Sequence, residues 1–151
     1  MPTVLRFIRE LAEFENLRSE VVATEESLRQ TLFGPHPYAE VLIAELEDRP
    51  VGFALFFHNY STFLGRPGIY LEDLFVTPDA RGAGIGRDLL VRLARIAVER
   101  DCGRLEWWVL DWNESAIAFY ERLGARNMEG WNVFRIDADA LGRLAGSQSV
   151  E

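Results

Sequence analysis

Two adjacent carboxylates, Glu72 and Asp73, interrupt a stretch from Ile69 to Val76 that is otherwise fit to be buried. A buried, unpaired carboxylate costs several kcal/mol or takes up a proton. Such a residue is therefore either ion-paired with an arginine or placed to bind a cationic nitrogen and accept its proton. Side chains alternate along a strand, so the two are expected on opposite faces, with only one of them in a given cleft. The arginine-pair reading is stronger for Asp73 than for Glu72. Just downstream, Gly82, Gly84 and Gly86 stand at alternate positions before a helical pattern. Glycines there let the backbone approach a ligand and aim unpaired amides at an anion. No Gly-Lys-Ser/Thr follows, and Arg87 stands where the dinucleotide fingerprint wants glycine, so neither phosphate motif applies. Tyr120, taken alone, reads as an amphipathic core residue whose hydroxyl reaches water.

Other reactive types are sparse. All sixteen basic residues are arginine, which excludes a lysine nucleophile or Schiff base. Pyridoxal enzymes and lysine-dependent aldolases go with it. Cys102 is alone, and His36 and His58 lie far apart in sequence, so neither an internal disulfide nor a metal cage is expected. His36 between two prolines reads as a turn residue, and Cys102 as a small hydrophobe. The net charge of -8 opposes binding to nucleic acid and favours cationic partners. Charge at Arg6 comes too early for a signal peptide, and the longest apolar run, Val51 to Phe57, is too short for a membrane span of ~20 residues. A cytoplasmic location is the default. With 151 residues, 48% of them apolar, the chain fits one domain with a full core.

The elements that must position these residues follow from periodicity. Spacings of three and four predict a helix over 3–17, and Thr24 caps a second that stops before Gly34. Strands are expected at 39–47, 51–60 and 69–76, the first two joined by a turn at Glu47-Asp48-Arg49-Pro50. A helix over 84–100 buries Ile85, Leu89, Leu93 and Ile96. A strand from Leu105 to Leu110, a helix between Asn113 and Gly124, and a last strand at 131–136 complete the pattern. The sum is an α/β or α+β fold, helices on a twisted, mixed and mostly antiparallel sheet.

Arg81-x-x-Gly84-x-Gly86 resembles the acetyl-CoA pyrophosphate loop of the GNAT acetyltransferases, and Asp111-Trp112-Asn113-Glu114-Ser115-Ala116-Ile117-Ala118-Phe119-Tyr120 resembles the segment that ends such domains. Tyr70-Leu71-Glu72-Asp73, Glu129-Gly130-Trp131, Leu11-Ala12-Glu13-Phe14-Glu15 and Phe33-Gly34-Pro35-His36-Pro37 are similar to the diamine (spermidine/spermine) N-acetyltransferase subgroup. The resemblance implies a single GNAT domain over 1–151 that uses acetyl-CoA, without a metal, to acetylate a small cationic primary amine. It implies Glu72 as the base, taking the proton directly or relaying it through water, and Tyr120 as the acid that protonates the departing thiolate. Leu74, Phe75 and Val76 would pair through their backbone with the pantetheine arm, the Leu74 amide polarising the carbonyl. Arg81, Gly82, Ala83, Gly84, Ile85, Gly86 and Arg87 would hold the pyrophosphate, with Asn113 a further ligand. Phe14, Glu15, Glu72, Glu129 and Trp131 would line the amine site.

Family members carry a strand before the first helix, where this chain has Met1-Pro2-Thr3. Without it the strand at 39–47 becomes a sheet edge, expected either to be covered by another chain in a homodimer, the outcome the family's dimeric habit favours, or to give poor solution behaviour. The loop from Ser61 to Pro67 lacks the acid of polyamine-acetylating members and adds Arg66, which argues against spermidine. Open alternatives are a protein N-terminus, an amino acid such as thialysine, a drug amine, or a CoA-sensing module without catalysis.

Overall fold

Apolar residues at three- and four-residue spacings close α1 over Pro2–Phe14, with proline at the first turn where no intrahelical N–H is needed. In α2, Glu25–Phe33, Thr24 and Ser27 form a reciprocal capping box, and Glu25 and Glu26 face the positive helix end. The computed structural model describes residues 1–147. These divide into two units, Met1–Trp108 and the segment that starts at Val109, and each is taken by itself.

The first unit holds a four-stranded sheet in the order β1 (Glu40–Leu46), β2 (Arg49–Ser61), β3 (Arg66–Val76), β4 (Leu105–Trp107). The first three strands are antiparallel and β4 runs parallel to β3. Glu47 and Asp48 both take positive φ, which makes the β1–β2 connection a two-residue hairpin turn matched to the strand twist. One sheet face presents Phe53, Leu55 and Phe75 to Val4, Phe7 and Leu32 of the two N-terminal helices. Phe7 and Phe53 stack with centroids 5.4 Å apart, and truncating either to alanine costs about 3–5 kcal/mol. The other face carries the buried Phe56, Ile69 and Leu71 and is covered by α3, Ile85–Glu99, which turns Ile85, Leu89, Leu93 and Ile96 inward as its periodicity requires.

The register of β3 contains the feature that decides the site. Leu71 opposes Phe56 and Asp73 opposes Leu55, the next residue of β2, so Glu72 is an extra residue forming a β-bulge. A bulge bends its strand, and the ladder with β4 ends at Leu71 and Trp107, just before it. The strand expected to reach Leu110 therefore stops at Trp107. Asp73 to Val76 are paired on the β2 side alone among the described residues.

In the second unit, Asn113 Oδ1 accepts from the Ala116 N–H at 3.3 Å and starts α4, Glu114–Arg122. Gly124, at φ +95, turns the chain out of the helix while Ala125 N–H returns to the Tyr120 carbonyl. One expectation needs correction here. Residues 131–136 form no strand, because the alternation slips at Val133-Phe134 and the unit offers no partner strand; Val133, Phe134 and Ile136 are exposed. A helix that the pattern did not predict, α5, spans Ala138–Ala145.

Candidate active site

The bulge overturns the simple alternation at the two carboxylates. Cross-strand partners share a face, so Asp73, opposite Leu55, points to the α1 side with Phe75, and Tyr70, opposite Phe57, follows on that side. Asp73 is the largely buried acid of the pair and Glu72 is exposed. Among the described residues no arginine pairs with Asp73. Burial, with the Glu72 and Glu15 carboxylates nearby, pushes its carboxyl up to about 7, and no cation offsets them. Glu15, the C-cap of α1, is itself raised by burial. The same surroundings act on Tyr70, whose phenol is pushed up to about 12 by burial and then by Glu72, Glu106 and Asp73. A locally negative, half-dry surface of this kind disfavours anions and rewards a cation.

Beyond Asp73 the backbone of β3 is available. Thr77 N–H donates to the Val51 carbonyl at 2.8 Å, so the antiparallel alternation turns the backbone groups of Leu74 and Val76 away from β2. The Val76 carbonyl accepts from Arg81 Nε at 3.0 Å, while the Leu74 N–H faces the open side. An extended polar ligand fits that edge as a further strand would.

The glycine loop follows. Gly82 and Gly84 take φ of +87 and +80, a conformation L side chains rarely adopt, and a Cβ at either would meet only open space. Gly84 is the N-cap of α3, and Asp88 N–H makes the first helical bond back to it, so the amides of Ile85, Gly86 and Arg87 are left for an anion. Arg87 has no ion-pair partner among the described residues. Amides, an open loop face and a spare cation fit a pyrophosphate.

The first unit thus brings together Phe14, Glu15, Glu72, Leu74, Phe75, Val76 and the loop from Arg81 to Arg87. The residues singled out in the second unit are Asn113, a helix cap as its type suggests, Tyr120, half-buried on α4 beside Phe119, and Glu129 and Trp131, both exposed. Asp73 is a candidate for the site that sequence reasoning weighs mainly as an ion-paired residue. Its signal is the register of β3 against β2, which two-residue alternation cannot supply. His58, Arg100, Glu40 and Cys102 form a separate cluster: Arg100 holds Glu40 with both terminal nitrogens and lies 2.9 Å from His58 Nε2, and Cys102 Sγ is 3.9 Å from His58 Nδ1. Among the described residues no three His, Cys, Asp or Glu side chains gather as a metal site, and no helix is long and apolar enough to cross a membrane.

A family model described as acetyltransferase (GNAT) family matches residues 5–125. Thialysine N-epsilon-acetyltransferase of Sus scrofa is 42% identical over 154 residues, covering 95% of this chain and 90% of its own. L-ornithine N5-acetyltransferase of Arabidopsis thaliana is 33% identical over 186 residues, covering 93% of this chain and 82% of its own. Among solved structures, an integron cassette protein from the mobile metagenome of V. cholerae superposes with a TM-score of 0.80 at 30% identity, covering 96% of this chain and 91% of the other.

Proposed function

Because the chain belongs to the acetyltransferase (GNAT) family, we propose that it moves the acetyl group of acetyl-CoA to the terminal primary amine of a small cationic amine, with an amino acid bearing a side-chain amine the favoured class. The observation that carries this reading is the acid cluster of Glu15, Glu72 and Asp73, to which no arginine is assigned although the chain has sixteen basic residues. The names of the thialysine and ornithine enzymes place the acetyl group on a side-chain nitrogen, which agrees with a site that takes an ammonium.

In this reading the ammonium settles against Asp73, whose charged form it stabilises, and loses its proton to the Glu72–Asp73 pair. Asp73, held near 7, is the member able to keep a proton at neutral pH, and Glu72, exposed beside it, passes it to water. The neutral nitrogen attacks the thioester carbonyl, a C–N bond forms, the C–S bond breaks, and the second proton that nitrogen sheds in becoming an amide replaces, through water, the one Tyr120 gives to sulfur. The Leu74 amide polarises that carbonyl, Phe75 and Val76 flank the pantetheine, and Tyr120 donates the proton that sulfur takes. Gly82, Ala83, Gly84, Ile85, Gly86 and Arg87 hold the pyrophosphate, Asn113 contributes from α4, and Phe14, Glu129 and Trp131 bound the amine. Tyr120, Asn113, Glu129 and Trp131 are assigned on the resemblance of their motifs. A single GNAT domain, a homodimer that covers the β1 edge and a cytoplasmic location belong to the same proposal; the edge strand's exposed Ile43 supports the dimer.

The test is a panel of thialysine, ornithine, lysine, spermidine, an aminoglycoside and an N-terminal peptide, assayed for CoA release. Amino acids with a side-chain amine should lead in kcat/KM. A neutral or anionic best acceptor contradicts the acid cluster as the amine site, and acetyl-CoA binding without release in any arm favours a CoA sensor.

A further inference from the structure

Arg81 opens the glycine loop, and its motif assigns it to the pyrophosphate with the residues that follow. Its guanidinium is engaged elsewhere. Nε donates to the Val76 carbonyl at 3.0 Å. Cζ lies 5.2 Å from the ring centroid of Phe14 and 5.5 Å from that of Phe75, within the range of cation–π attraction for both. Phe75 belongs to the α1 face of the sheet and Phe14 is the last residue of α1, so the charge of Arg81 stands on the Asp73 side of β3. The neighbouring arginines are committed too: Arg49 pairs with Asp79 at 2.8 Å, and Arg6 approaches Glu10 at 3.7 Å and the Pro50 carbonyl at 3.3 Å. Of the two arginines in the loop, Arg87 is the one left for an anion.

Resting on the function proposed above, we propose that Arg81 is a positioning residue of the amine site and not a phosphate ligand: it ties the end of α1, which carries Phe14 and Glu15, to the end of β3, which carries Asp73 and Phe75. The buried stripe of α1 ends at Ala12, two residues before the exposed ring of Phe14 that meets the guanidinium. A planar guanidinium against two rings, fixed by a bond to a strand carbonyl, joins the end of α1 to β3, and Lys would supply the charge without the plane. Arg81, Phe14 and Phe75 also line a groove of about 660 Å³ along α1, bordered by Glu10 and Glu13. Removing Arg81 lets Glu15 move away from Asp73, which loosens the grip on the cation without touching the amides of α3.

The experiment compares Arg81→Met, Arg81→Lys and Arg87→Met in the full chain, by calorimetry with CoA and by steady-state kinetics with the best amine of the panel. For Arg81→Met the expected result is a CoA Kd within threefold of wild type and an amine KM raised by about tenfold, with kcat changed less. Arg81→Lys should fall between wild type and Arg81→Met in amine KM. Arg87→Met should do the reverse, weakening CoA by about tenfold with the amine KM unchanged. A tenfold loss of CoA affinity in Arg81→Met, whatever the amine KM, overturns the proposal, and so do unchanged constants on both sides. If wild type acetylates no amine, the functional reading fails instead, and CoA calorimetry still decides whether Arg81 belongs to the phosphate.

Discussion

Glu40 and Asp73 are carboxylates on the same four-stranded sheet, in opposite surroundings. Glu40, on the edge strand, is gripped by both terminal nitrogens of Arg100 at 2.7 and 2.9 Å, and that bond holds its carboxyl below the usual range. Asp73, on an inner strand, has burial and two further acids around it and lies well above that range. The protein has arginines to give: they pair with Glu10, Glu13, Glu26, Glu40, Asp79, Asp101 and Glu106. In the proposed function, leaving Asp73 without one among the described residues separates a carboxylate that supports the fold from one that receives a cation. The two also respond to pH with opposite sign. A lowered pKa contributes stability that is lost as pH falls through the folded value. A raised pKa contributes stability present at acid pH and lost as pH rises from the unfolded value, 3.8, through about 7.

Substitution at the two positions sharpens the contrast most. Asp73→Asn should lower kcat/KM by about 10³-fold at neutral pH, within the range of a general base that also binds the cation, while Glu40→Gln should stay within about twofold of wild type. Steady-state kinetics on both, with the same amine, decides it; equal losses would erase the distinction. The same Asp73→Asn variant should be more stable than wild type above pH 8. A carboxyl moved from 3.8 to about 7 costs the folded state up to about 4 kcal/mol once ionised, and an amide avoids that. Denaturant melts at pH 4.5 and 8.5 should show the gain only at the higher pH. A variant less stable at both would make Asp73 a structural residue. Tyr120→Phe should lower kcat by about 100-fold and leave CoA affinity intact, whereas a loss under threefold returns Tyr120 to packing. The smallest effect is expected at Arg100: its pair with Glu40 is exposed to solvent, and Arg100→Met should reduce stability by about 1 kcal/mol or less, diminishing further in salt.

Much of the molecule was legible in the residues. The Thr24 and Asn113 caps, the inward stripe of α3 and the loop glycines each follow from local chemistry, and the structure places them as that chemistry demands. What escaped was non-local. The bulge at Glu72 depends on how β3 meets β2, and nothing in the order Leu71-Glu72-Asp73-Leu74 reveals that an extra residue is accommodated there. It shortens β4 and sends Asp73 to the α1 face, so one unseen feature moved both a strand end and a site residue. Residues 131–136 failed for a related reason, since apolar alternation makes a strand only where an edge receives it. In α5, Leu141 and Leu144 give just one helical spacing and Gly142 weakens the propensity.

The proposed chemistry requires Asp73 to be an acid held near neutrality for a cation. Its carboxyl can be followed directly by carbon NMR, with Asp73→Asn identifying the resonance, in the free protein and with the preferred amine present. The predicted midpoint is about 7 in the free protein, moving down when the ammonium binds. A midpoint near the ordinary aspartate value in the free protein, or one that the amine leaves unmoved, would contradict the account.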